Sequence, residues 1–235
     1  LKPDAVRSAD FGTLSDTDTG RKRESLWANL RQRAAAAPMG YFSPFLTNHD
    51  QNRVMSELDD DPAKARLAAI ALLTLPGLPF IYYGEEIGQL GLKPDEDIRT
   101  PMQWSADPAA GFSTGDPWRA PQPDYPTKNV AAQEEDPFSL LNTYRALVQL
   151  HTSTPALATG EFVPFSSDNS AVAAFLRVSG ESVALVLINF DRADAVDRGE
   201  LCGGVRRHLL QRGDAHLAQG RRRRCADAAG QVRAG

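Results

Sequence analysis

Two short apolar runs organise the chain. Tyr41 to Thr47 is nearly continuous and ends in Asn48-His49-Asp50-Gln51-Asn52-Arg53, while Leu78 to Tyr83 ends in Gly84-Glu85-Glu86. Runs of this length predict strands covered on both faces, as in parallel sheets. A helical period precedes each run. In Arg21 to Ala37, the residues Leu26, Trp27, Leu30 and Ala34 share one face, and Pro38 follows. Asp59-Asp60-Asp61-Pro62 is a helix start, since a carboxylate can cap free amides and proline fits the first turn. Leu67, Ile70, Ala71 and Thr74 then mark a buried face to about Leu75. Helix, strand, helix, strand, with each strand ending in polar residues, predicts a parallel α/β layer.

Beyond it, Leu90 to Asp136 reads as a long irregular stretch with seven prolines; Trp104, Phe112, Trp118 and Tyr125 within it favour order. Loops of this length are usually functional or disordered. Asp136-Pro137 repeats the cap-plus-proline start, and Leu140, Leu141, Tyr144, Leu147 and Val148 form a helical stripe to about His151. After Pro155 the period becomes strand-like. Glu161–Phe165, Ala171–Val178 and Ser182–Asn189 predict short strands, with turns at Ser167-Asp168-Asn169 and Ser179-Gly180. The expected product is the start of a small antiparallel domain, too short at three strands to stand as a sandwich alone.

Composition changes this picture mainly at the end of the chain. The 235 residues carry a formal charge of -4, but after Phe190 the acidic excess reverses and Arg221 to Arg224 form a run. Both cysteines, Cys202 and Cys225, lie in this tail, so a disulfide framework is excluded for the body. No aromatic residue interleaves with the arginines, which ranks nucleic-acid binding low. The tail from Asp191 to Gly235 is expected to be a frameshifted or otherwise non-native, disordered ending. The most apolar stretch, Ala68 to Tyr83, is broken by Pro76-Gly77-Leu78-Pro79 and is too short to span a bilayer. No signal peptide is visible, and Leu1 is expected not to be a native start, so the sequence leaves the cellular location open.

Chemistry concentrates at Asn48 to Arg53. By local chemistry alone two readings stand side by side. Asp50 and His49 at a strand end suit polar substrate recognition or charge stabilisation; equally, Asp50 can cap a turn and His49 can be a hydrogen-bonded structural histidine. The sequence also resembles a known family. Phe45 to Arg53 is similar to the seventh-strand segment of the α-amylase superfamily, glycoside hydrolase family 13. Leu75-Pro76-Gly77-Leu78-Pro79-Phe80-Ile81-Tyr82-Tyr83-Gly84-Glu85-Glu86-Ile87-Gly88 resembles its eighth strand. Asp97-Ile98-Arg99-Thr100-Pro101-Met102-Gln103-Trp104 resembles a signature of its α-glucosidase and trehalose-synthase-like branches. These motifs stand in the family's order, and the resemblance covers about Phe11 to Phe190.

The resemblance implies an α/β fold: the C-terminal part of a (β/α)8 TIM barrel over residues 1–153, then the start of an antiparallel β-sandwich domain over 154–190, with 191–235 as the anomalous tail. It implies retaining cleavage or transfer of α-glucosidic bonds, which needs a nucleophilic carboxylate and an acid/base about 5 Å apart. Asp50 matches the family's third carboxylate, a stabiliser of the transition state, and His49 matches a histidine that hydrogen-bonds the same sugar. Asn48, Arg53 and Arg99 complete the expected substrate-binding set, with an α-linked glucose oligosaccharide as partner and neither nucleic acid nor membrane; for Arg53 a structural role, pairing with a rim carboxylate, is the preferred of two readings. Trp104 and Trp118 are either sugar-stacking platforms or loop anchors, and His151 is expected to be structural. No organic cofactor or metal is indicated, although some members of the family bind calcium. No stretch before Tyr41 resembles the segments bearing the nucleophile and the acid/base. The chain is therefore expected to be an inactive part of a hydrolase; the alternatives are a transglycosylase or isomerase of the trehalose-synthase type, or a non-catalytic carbohydrate-binding protein.

Overall fold

The computed structural model describes residues 43–165, 172–190, 195–200, 205–210 and 215–221. The helix expected at Arg21–Ala37 and the turn at Ser167-Asp168-Asn169 lie outside them. Among the described residues the helices are α1 (Val54–Glu57), α2 (Pro62–Thr74), α3 (Asp95–Ile98), α4 (Val130–Glu134), α5 (Leu140–Ser153) and α6 (Pro155–Thr159). Strands follow: β1 (Glu161–Phe165), β2 (Val172–Ser179), β3 (Ser182–Asn189), β4 (Ala195–Glu200), β5 (Val205–Leu210) and β6 (Ala215–Arg221).

The two apolar runs meet as expected, in parallel, but not as full strands. Their pairing is one bridge, Phe45 to Phe80, reinforced by the Phe80 amide donating to the Pro44 carbonyl at 2.9 Å. Nor is the second run buried: Leu78, Phe80, Ile81 and Tyr83 are all exposed. Among the described residues no further strand flanks this pair, and an isolated pair lacks the support that keeps a ladder regular.

Helix α2 is the centre of the core. Asp61 caps it, its carboxylate accepting from the amides of Ala63 and Lys64. Its apolar surface is wider than a single stripe, because Ala65, Leu67, Ala68, Ala69 and the residues from Ala71 to Thr74 are all buried, whereas Ile70 is only half-buried. α2, α5 and α6 pack with Ala173, Phe175, Ala184, Val186 and Ile188 of the sheet into one core. α5 starts later than its sequence suggests. The Asp136 carboxylate binds the Phe138 amide, and the Ser139 hydroxyl caps α5 by accepting from Asn142. The stripe on α5 is buried at Leu140, Leu141 and Tyr144 and emerges at Val148.

The antiparallel sheet has the order β1-β2-β3-β6. Val172 pairs with Asn189 and Ser179 with Ser182, so the β2–β3 loop is Gly180-Glu181, with Gly180 at φ 56° as a tight hairpin requires. The arginine-rich tail, expected to lack structure, contributes β6 to this sheet and forms a separate β4–β5 pair. β3 offers an edge after pairing with β2, and backbone pairing at an edge makes few demands on side chains.

The carboxyl end of α2 ties sheet and helices together. Arg177 on β2 is buried; its Nη1 donates to the Thr74 carbonyl at 2.8 Å and its Nη2 to the Gly160 carbonyl at 3.0 Å. His151 Nδ1 lies 2.8 Å from the Leu73 carbonyl, so that nitrogen carries a proton and serves the same helix end. Burial pulls the Arg177 pKa down to about 10, which leaves the guanidinium charged at neutral pH. Arg177→Ala strands two buried carbonyls at roughly 1–3 kcal/mol each. We expect chemical denaturation of that variant to show a loss of about 3 kcal/mol or more, with Arg177→Lys recovering part of it. An unchanged denaturation midpoint in Arg177→Ala would contradict this account.

Candidate functional site

The polar residues after Thr47 form a compact turn rather than a disordered loop. The Thr47 hydroxyl donates to the Asn52 carbonyl at 2.8 Å, and the Asn48 side-chain oxygen accepts from the Asp50 amide at 2.9 Å. His49 and Asp50 are thereby presented to solvent, with His49 Nε2 and Asp50 Oδ2 3.5 Å apart. On the far side Asn52 is bound at both ends of its amide, to Glu57 at 2.7 Å and to the Lys93 amide at 2.7 Å.

Arg99 closes the turn. Its Nε donates to the His49 carbonyl at 2.8 Å, and its Nη2 reaches Asp50 Oδ1 at 3.2 Å and Asp95 Oδ2 at 2.8 Å. One guanidinium thus holds two carboxylates at one surface, a geometry suited to its planar fork of donors. Lys93, bound to Asp95, and Arg99 hold the Asp95 carboxyl below its usual range. Asp95 was not among the expected site residues, although its i,i+4 spacing to Arg99 was a readable signal.

Arg53 is placed in keeping with the structural one of the two readings weighed for it. It is 1% exposed, so it sits beneath the surface and not among groups open to a sugar. Its guanidinium carbon lies 4.7 Å from the ring centroid of Tyr82 and 4.7 Å from that of Tyr83, and Nη1 donates to the Tyr83 carbonyl at 2.6 Å. Two aromatic faces and a carbonyl draw the cation inward. The hydroxyls of those tyrosines extend the contact: Tyr82 donates to the Ile98 carbonyl at 3.3 Å and Tyr83 to the Thr100 carbonyl at 2.8 Å. Buried Gln89 adds Nε2 bonds to Thr100 Oγ1 at 2.9 Å and to the Pro101 carbonyl at 3.1 Å. Arg99 is therefore clamped from both sides of its own backbone. Tyr82, Tyr83 and Gln89 were missed as site-forming residues because most of their hydrogen bonds go to backbone carbonyls, which no side-chain pattern encodes.

The two tryptophans stand with their rings in solvent, Trp104 at 50% and Trp118 at 64% exposure. The Trp104 backbone is fastened, its amide donating to the Ala110 carbonyl at 2.9 Å and its carbonyl accepting from the Ala131 amide at 3.0 Å. Beside the clamp, Glu85 is fully buried and accepts from the Tyr144 hydroxyl at 2.8 Å. Burial pushes the Glu85 pKa up to about 8, and the neighbouring Glu86 adds to that effect. Burial also raises the Glu86 carboxyl. No cluster of potential metal ligands occurs among the described residues, and none of their helices is long and apolar enough to cross a membrane.

Comparison with known proteins bears on this arrangement. Residues 21–160 match the α-amylase catalytic-domain family. The chain is 36% identical over 152 residues to alpha-amylase 3 of Dictyoglomus thermophilum, covering 64% of this chain and 30% of that protein. It is 38% identical over 148 residues to the trehalose synthase/amylase TreS of Mycobacterium tuberculosis, covering 58% of this chain and 25% of that one. Among solved structures, the alpha-amylase from H. orenii superposes with a TM-score of 0.76 at 26% identity, over 93% of this chain and 48% of that one. The chain thus spans well under half the length of the curated relatives named here.

Glu85 makes the stability of this region depend on pH. Its folded pKa lies above the ordinary 4.5, so the stabilisation is fully present below about pH 4.5 and is lost as pH rises towards about 8. The slope is at most about 1.4 kcal/mol per pH unit. Glu85→Gln keeps an oxygen for Tyr144 and removes the titration. Thermal melts at pH 5 and pH 8.5 should show a smaller drop in Tm for Glu85→Gln than for the wild type; equal drops would exclude the assignment.

Proposed function

The chain belongs to the α-amylase family, and from that premise we propose that it carries part of a glycosidase active site for α-linked glucose. The observation that supports this reading is the turn at Asn48–Asp50 fastened by Arg99. Asp50 presents its carboxyl group to solvent beside an imidazole, with one oxygen bound to Arg99 and the other facing His49. In retaining cleavage an oxocarbenium-like charge develops on the sugar ring. A carboxylate fixed before the sugar arrives stabilises that charge without reorganising, and acts most strongly where water is excluded. His49 and Asn48 offer donors and acceptors to sugar hydroxyls. Arg99 holds Asp50 in place and remains open enough to contact a hydroxyl itself. Arg53 acts from below, through the tyrosines.

Cleavage also needs a nucleophile and an acid/base, and we assign those to a region of the parent enzyme outside this stretch. Glu85 and Glu86 do not supply them. Glu85 is buried against Tyr144, and burial likewise raises the Glu86 carboxyl. The barrel over residues 1–153, the sandwich-type domain from 154, and the non-native character of the tail stand as parts of the same proposal. Transglycosylation or isomerisation is the second reading, since the chain resembles TreS and an isomaltulose synthase from Erwinia rhapontici (25% identity, TM-score 0.71).

The purified chain should show no turnover of a chromogenic α-glucoside, while still binding maltose; measurable hydrolysis would refute the assignment of the missing carboxylates. In an enzyme completed by the remaining carboxylates, Asp50→Asn should lower kcat by about 10²–10³ with little change in fold. Product analysis with maltose then separates the two reactions, glucose alone marking hydrolysis and trehalose marking isomerisation.

A further inference from the structure

The surface around Asp50 holds a second carboxyl group to which the glycosidase reading gives no task. Asp95 shares one nitrogen of Arg99 with Asp50: Nη2 lies 2.8 Å from Asp95 Oδ2 and 3.2 Å from Asp50 Oδ1. The shorter bond is the one to Asp95. Lys93 takes the other oxygen, Oδ1, so each Asp95 oxygen has its own cation. Lys93 and Arg99 together hold the Asp95 carboxyl below its usual range and keep it charged. Its placement is fixed from the other side as well. The Lys93 amide donates to the Asn52 side chain at 2.7 Å, which joins the start of α3 to the turn that carries His49 and Asp50. α3 opens with three acidic residues, Asp95, Glu96 and Asp97, yet Asp97 faces a different cation, with Arg119 Nε at 2.8 Å. Of the three it is Asp95 that meets Arg99.

A guanidinium facing a single carboxylate favours a bidentate pair, with two parallel N–H···O bonds. Such a pair on Asp50 would occupy both of its oxygens. In the structure only Oδ1 is on Arg99, and Oδ2 faces His49. We propose that Asp95 is a positioning residue for Asp50: by holding Nη2 it keeps Arg99 from closing on Asp50 in a bidentate pair, and so leaves an Asp50 oxygen for the sugar. The proposal rests on the glycosidase reading and deepens it, since Asp95 acts on the sugar site through Arg99. With Asp95 present the guanidinium is divided between two carboxyl groups; without it, Asp50 takes the whole fork. Lys93 sets the division by occupying the Asp95 oxygen that Arg99 does not use.

The test is titration of the full chain with maltose, followed by NMR, together with crystal structures of the variants. Asp95→Ala should weaken maltose binding about fivefold, in keeping with the modest strength of partly exposed ion pairs. Asp95→Asn keeps an acceptor without the charge and should fall between that variant and the wild type, and Asp95→Glu should recover most of the affinity. Glu96→Gln removes a charge from the next position and should bind as the wild type does. The Asp95→Ala structure should show both terminal nitrogens of Arg99 on Asp50. Equal affinity across the Asp95 series, an equal loss in Glu96→Gln, or an Arg99 left in place in Asp95→Ala would each overturn the proposal. Should Asp95→Ala fail to fold, Asp95→Asn carries both measurements. A wild-type chain that binds no maltose would refute the glycosidase reading, and the position of Arg99 in the variant structure then decides the role of Asp95 by itself.

Discussion

A buried guanidinium between two tyrosines is the constraint on which the candidate site depends. Arg53 holds Tyr82 and Tyr83 by their ring faces and by the Tyr83 carbonyl. The tyrosine hydroxyls hold the backbone on each side of Arg99. Arg99 in turn holds Asp50 and the His49 carbonyl. Each link uses a group that the previous link has already oriented. The exposed pair is therefore set by an arginine that never reaches the surface. Two nitrogens of Arg53, Nε and Nη2, have no hydrogen-bond partner, so the ring faces and a single carbonyl offset its desolvation.

The rest of the fold gives that chain of contacts a floor. α2 is buried nearly all round because its small residues, Ala65, Ala68, Ala69 and Ala71, let α5 and the sheet approach closely. Its carboxyl end would then present bare carbonyls to the interior, and Arg177 and His151 answer them from a strand and a helix distant in sequence. The antiparallel sheet is thus joined to the helical layer by directed hydrogen bonds as well as by apolar burial. At the other edge of the layer, the Leu78–Tyr83 segment has no such closure, and its exposed side chains follow from that.

Much of this could be read from the residues. β1 and β3 fall where alternation predicted them, β2 begins one residue after its predicted start, and α2 begins at the aspartate-proline signal. These are local features, because a cap, a hairpin glycine and a two-residue period act over a few positions. The resemblance of Phe45–Arg53, Leu75–Gly88 and Asp97–Trp104 to the α-amylase family agrees with the family match over residues 21–160. It also brought Asn48, His49, Asp50 and Arg99 into one list, and the structure sets all four at one surface.

What the residues could not say is how far each side chain would stand from water. Arg53 and Arg99 look alike in the sequence, yet one is sealed under aromatic rings and the other faces solvent. Leu78 and Phe80 look like core and lie open, and Asp95 joined the site without being sought. Burial is a property of everything that packs around a residue, including segments far away in the chain, so only the assembled tertiary structure decides it. The sequence by itself determined which groups are available and in what local geometry; the packing decided which of them meet and which remain exposed.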